Sequence, residues 1–120
     1  MKLQQLTPNL YTREIEKTIE FYVNNLGFNC TDYHKDLGWA MLEREGVSIM
    51  LSLPNDHLPF DKPAFTGSFY FYMEGVHKYW EAVKDEVEVA YPLESFDYGM
   101  TEFAIYDNNG YMLQFGEAAE

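Results

Sequence analysis

Two amphipathic helical segments, each preceded by one strand-like stretch and followed by three, constrain this chain more than any other feature. In "TREIEKTIEFYVNNLG" (Thr12–Gly27), Ile15, Ile19, Tyr22, Val23 and Leu26 form one apolar stripe at helical spacing. Thr12 is placed to cap its start and Gly27 to end it. In "VHKYWEAVKDEV" (Val76–Val87), Val76, Tyr79, Trp80 and Val83 repeat the stripe. The remaining apolar stretches read as strands. They are Leu6–Thr12, Gly27–His34, Trp39–Glu45 and Val47–Leu53, then Ser68–Glu74, Val87–Tyr91 and a closing hairpin within "DYGMTEFAIYDNNGYMLQF" (Asp97–Phe115). Asn109-Gly110 marks the hairpin turn, because glycine accepts positive φ there. The pattern is βαβββ written twice, with a polar, proline-bearing join over Pro54–Gly67. It predicts an α+β fold of two βαβββ modules, forming a curled mixed sheet with a concave cleft and the helices on its outer face. Module one covers about residues 1–55 and module two about residues 66–120. Neither half is large enough to be stable alone.

Strand alternation assigns the faces. Val47, Ile49 and Leu51 oppose Ser48, Met50 and Ser52; Phe69 and Phe71 oppose Ser68, Tyr70 and Tyr72. Phe103 and Ile105 oppose Glu102, Ala104 and Tyr106, while Leu113 and Phe115 oppose Met112 and Gln114. On the first strand Leu6, Pro8 and Leu10 oppose Thr7, Asn9 and Tyr11. The purely apolar faces are expected under the helices. The mixed faces, rich in hydroxyl, amide and aromatic groups, are expected to line the cleft.

Charge and composition restrict what such a cleft can take. Eight basic residues against twenty acidic ones give a formal charge of −12. That disfavours nucleic acid and anionic membrane surfaces, and is compatible with a cationic ligand or with acidity that only keeps the protein soluble. Ten tyrosines and nine phenylalanines supply stacking surfaces. Cys30 is the only cysteine, so no intrachain disulfide is expected, and no His or positive cluster adjoins it to make a nucleophile. The opening "MKLQQLTPNL" lacks a signal-type apolar run, and no stretch has the length of a membrane span. The expectation is a soluble, cytoplasmic protein. His34, His57 and His77 show no metal-like spacing, and neither a phosphate loop nor a dinucleotide fingerprint is present.

Paired modules, together with "FYVNNLGF" (Phe21–Phe28), "YGMTEF" (Tyr98–Phe103) and "DNNGY" (Asp107–Tyr111), resemble the vicinal oxygen chelate superfamily over nearly the whole chain. That group holds glyoxalases, bleomycin resistance proteins and dioxygenases. Residues 1–120 then read as a single domain of this type. The resemblance implies four cleft-facing ligand positions in the metal-dependent members, here Thr7, Met50, Ser68 and Gln114. These side chains make a poor transition-metal site, so the expectation is no metal, no cofactor and no catalytic residue. The chain is most similar to the metal-free bleomycin resistance proteins. That similarity implies a cytoplasmic homodimer that sequesters a small aromatic, cationic antibiotic. Asp32, Tyr33, Trp39, Tyr70, Tyr72, Tyr98 and Gly99 are implied binding positions, joined by Met50, Ser68, Glu102 and Gln114 from the cleft face. Two other readings stay open. One is a metal-dependent lyase, isomerase or dioxygenase, with Glu102 as ligand or base. The other is a regulatory module whose cleft is filled by a partner or by its own Pro54–Gly67 loop.

Overall fold

The computed structural model describes residues 1–57 and 59–120. The chain divides into two compact units, Met1–Asp61 and Lys62–Glu120. In the first, β1 (Asn9–Tyr11) leads to α1 (Ile15–Glu20), which continues as a π-helical turn over Phe21–Asn25. Then come β2 (Asn29–His34), a short 3-10 turn, β3 (Trp39–Arg44) and β4 (Val47–Ser52). The sheet order is β1-β4-β3-β2, with β1 parallel to β4 and the other pairs antiparallel. The second unit repeats this plan with β5 (Phe69–Tyr72), α2 (Val76–Val83), β6 (Glu88–Ser95), β7 (Met100–Tyr106) and β8 (Met112–Ala118). Its order is β5-β8-β7-β6, again with only the first pair parallel. The fold is therefore α+β, built on two four-stranded mixed sheets.

Register places the apolar faces together as alternation requires. Leu10, Leu51 and Ala40 form one buried row of the first sheet, and Ile49 and Leu42 the next. Beside them Ile15, Thr18 and Tyr22 are buried on the helical segment. In the second unit Phe103, Phe115 and Phe71 stack in succession, at 5.3 and 4.9 Å between ring centroids. Tyr79 and Trp80 of α2 lie on Phe103 at 6.2 and 5.1 Å. Each large side chain so buried contributes about 1.5–3 kcal/mol.

Helix ends show where local chemistry departs from expectation. α1 begins at Ile15, so Thr12 is not its cap. The Thr12 hydroxyl instead accepts the Glu14 N–H at 3.1 Å. Thr18 donates its only hydroxyl proton to the Glu14 carbonyl, so the 2.9 Å bond between the two threonines must be donated by Thr12. Gly27 does end the helical segment, at φ +78°, and the Phe28 N–H reaches back to the Tyr22 carbonyl at 3.0 Å. Arg44 covers this exit by donating to the Leu26 carbonyl. At α2 the cap comes from a neighbouring strand. The Glu117 carboxylate accepts the N–H groups of Gly75 and Val76 at 3.3 and 3.0 Å, which suits the positive end of the helix.

Three boundaries differ from the sequence reading. β1 is shorter, because Leu6 is exposed and lies outside the sheet. α2 ends at Val83, before the acidic run that follows. β6 extends through Tyr91 to Ser95, into what reads as loop, because Pro92 is accommodated on an outer strand, within the second of two register shifts. The hairpin turn has the expected residues and an added brace: the buried Asp107 carboxylate accepts the N–H groups of Asn109 and Tyr111 at 2.8 and 2.9 Å. Among the described residues no helix is long and apolar enough to cross a membrane.

Candidate functional site

The face of the second sheet opposite α2 carries two transverse rows. Tyr70, Gln114, Ala104 and Tyr91 form one; Tyr72, Gly116, Glu102 and Glu94 form the next. Small residues occupy part of the middle and tyrosines stand at the sides. Gln114 is fixed from both ends. Its Oε1 accepts from the Ser68 hydroxyl, and its Nε2 donates to the Tyr91 phenol at 2.6 Å. Both ends of the amide are thus engaged with neutral partners.

Glu102 lies beside this network and is only 1% exposed. Its Oε2 has no hydrogen-bond partner, and neither does the equally covered phenol oxygen of Tyr70. The Tyr70 oxygen lies where a Cβ on residue 116 would be, so only glycine lets this ring cross the strand. Burial pushes the Tyr70 phenol well above its usual pKa, and the nearby Glu102 carboxyl adds to that. The two groups are close enough to interact electrically, but their geometry makes no sound hydrogen bond. Tyr91 is also raised, by burial and then by Glu102, while its bond from Gln114 pulls the other way.

The remaining expected positions fall into separate groups. Tyr72 is 79% exposed and lies 5.1 Å from the Tyr70 ring. Tyr98 is exposed and stacks parallel on Phe96 at 5.4 Å, and Phe96 in turn meets Tyr91 edge-on at 5.8 Å. Gly99 has φ +91° and donates to the Phe96 carbonyl at 3.0 Å, a turn role. In the first unit, Asn9, Met50, Met41 and Asp32 form one row of the face away from α1; Tyr11, Ser52, Trp39 and His34 form the next. Asp32 pairs with His34 at 3.0 Å, and His34 lies 5.8 Å from Trp39. Tyr33 points the other way, donating to Glu16 on α1 at 3.0 Å. The loop residue Phe65 stacks on Phe69 at 4.9 Å, on the helix-facing side, and not on Tyr70 or Tyr72.

The four positions where the resemblance implies metal ligands do not fit a transition metal. Thr7 accepts from Gln5 at 2.6 Å, Met50 offers a thioether, and Ser68 and Gln114 bond to each other. Imidazole, carboxylate and thiolate donors are what nickel, zinc or iron require. Among the described residues no three His, Cys, Asp or Glu side chains gather to hold an ion. Cys30 is exposed, and partial desolvation raises its thiol pKa, the wrong direction for a nucleophile.

Tyr91 and Glu94 belong to this face and escaped the sequence reading, whereas alternation already put Gly116 on it. Alternation across "VEVAYPLES" could not place Tyr91 or Glu94, because the register shifts on both sides of Tyr91. Gly116 has no side chain to reveal a role.

Comparison with known proteins agrees with this architecture. No curated protein sequence matches the chain. Among solved structures, a glyoxalase/bleomycin resistance protein/dioxygenase from Nocardioides superposes with a TM-score of 0.81 at 16% identity, covering 100% of this chain and 86% of that one. A bleomycin resistance determinant encoded on the transposon Tn5 gives 0.78 at 22% identity, over 97% and 98%. A lactoylglutathione lyase from Agrobacterium tumefaciens gives 0.74 at 17% identity, over 95% and 92%. Identities this low speak for the fold alone. The family model for the Glyoxalase/Bleomycin resistance protein/Dioxygenase superfamily matches residues 2–115, and the chain belongs to that superfamily.

Proposed function

We propose that this protein binds and sequesters a small aromatic cation, of the bleomycin type, without changing it chemically. The observation that carries this reading is the face of the second sheet. Its tyrosines offer stacking surfaces, Glu102 supplies a carboxyl, and the position of the expected metal ligand holds an amide already bonded at both ends. Aromatic faces attract cations and flat heterocycles, and a net charge of −12 draws cations in. The same reading includes a homodimer and takes Asp32, Trp39 and Met50 on the first sheet, and Tyr98 and Gly99 beside the second, as further binding positions; Tyr33, turned to Glu16 on α1, is left out. The test is bleomycin binding, followed by tyrosine and tryptophan fluorescence. Tyr70→Ala with Tyr72→Ala is expected to weaken binding at least tenfold; unchanged affinity in the folded double variant rejects this face as the site.

A second reading has one specific observation in its favour. Glu102 is a buried carboxyl with an unused oxygen, as a general base would need. It would make the protein a lyase, isomerase or dioxygenase. Stoichiometric metal in the purified protein, lost on Glu102→Gln, would favour it over sequestration.

A further inference from the structure

From the orphaned pair in the second unit, and resting on the sequestration reading, we propose that Glu102 is the anchor for a ligand ammonium group, reached by displacing the Tyr70 ring. Buried polar atoms nearly always have partners, and one left without costs about 1–3 kcal/mol. Here two stand together, the Glu102 Oε2 and the Tyr70 Oη. An ammonium group brings three donors and no acceptor, so it can serve the Glu102 oxygen, while the displaced Tyr70 phenol returns to water.

Charge selects a cation over a neutral donor. Among the described residues no ion pair reaches Glu102. Glu94 stands opposite it in register, a like-charge neighbour that a bound cation would relieve. Residues 62–120 carry eleven acidic side chains against three lysines and no arginine, a formal −8 of the chain's −12.

The Tyr70 ring is built to move. It sits on β5, an outer strand of its sheet, and among the described residues no well-formed hydrogen bond holds its phenol. Among the described residues its ring neighbour is Tyr72, itself exposed. Swinging it outward leaves the Phe71–Phe115–Phe103 stack untouched, since that stack lies on the other face. The displaced ring can then cover the ammonium from above.

The experiment uses phenethylamine and 2-phenylethanol, matched in size and differing in the amine, titrated calorimetrically into the full chain. The amine is expected to bind at least tenfold tighter. In Glu102→Gln, checked for folding by circular dichroism, that preference should collapse toward parity. The Tyr70 ring resonances, assigned with Tyr70→Phe, should shift on adding the amine to the unmutated protein. No amine preference in the unmutated protein, an undiminished preference in folded Glu102→Gln, or an unmoved Tyr70 ring each overturns the proposal. If bleomycin still depends on Tyr70 and Tyr72 in that case, only the anchor is lost. If neither bleomycin nor the amine binds, the sequestration reading falls with it.

Discussion

Replacing Tyr70 with phenylalanine should stabilise the protein, which is unusual for removing a polar atom. The phenol oxygen is covered and has no well-formed hydrogen bond among the described residues, so the folded state gives up its hydration for little return. Such a group costs about 1–3 kcal/mol, and the partly exposed ring argues for the low end, about 1 kcal/mol. Unfolding entropy of about 2.1 cal/mol/K per residue gives roughly 0.25 kcal/mol/K for 120 residues. The expected rise in Tm is therefore about 4 °C. Tyr91→Phe is the control, because its oxygen accepts from Gln114 at 2.6 Å. Deleting it strands the amide and should lower Tm by a similar amount. Thermal melts followed by circular dichroism read both. If Tyr70→Phe falls as Tyr91→Phe does, the Tyr70 oxygen has a partner and the reasoning about the orphaned pair is refuted.

Glu117→Ala removes the cap on α2 and should cost about 1 kcal/mol in urea denaturation, a result that an unchanged midpoint would contradict. Gly27→Ala combines a φ of +78° with a Cβ that meets the Arg44 guanidinium, and should destabilise by more than about 1 kcal/mol. Tyr70 and Tyr91 have raised pKa values, so the folded state holds their protons longer than the unfolded state does. Stability is therefore level below the unfolded value of about 10 and falls as pH climbs from there through the folded values. Absorbance titration of phenolate should lose late-titrating amplitude in Tyr70→Phe and in Tyr91→Phe. Sedimentation at micromolar concentration should give twice the 14.1 kDa chain mass, and a single-chain mass would remove the homodimer from the proposed function.

Period-2 and period-3.6 patterns made most of the fold legible. Leu10, Leu51 and Ile49, like Phe103 and Phe115, lie on the apolar faces that alternation gives them, and Gly27 and Gly110 take the positive φ that their turns require. Alternation also put Tyr70, Glu102 and Gln114 on one face, and register brings them into adjacent rows. What stayed hidden depends on long-range geometry. Glu117 caps a helix 41 residues away, and Thr12 serves Thr18 across a turn, pairings with no local signature. Tyr91 lay beyond reach because a bulge resets the alternation on which face assignment depends. The Glu102–Tyr70 pair stands out only once burial and missing partners are known atom by atom.

The most direct test of sequestration is titration of metal-stripped protein with bleomycin, with analysis of the compound afterwards. Saturable binding near one ligand per chain, with bleomycin recovered unchanged, is the expected result. Absence of binding, or recovery of a modified product, would contradict it.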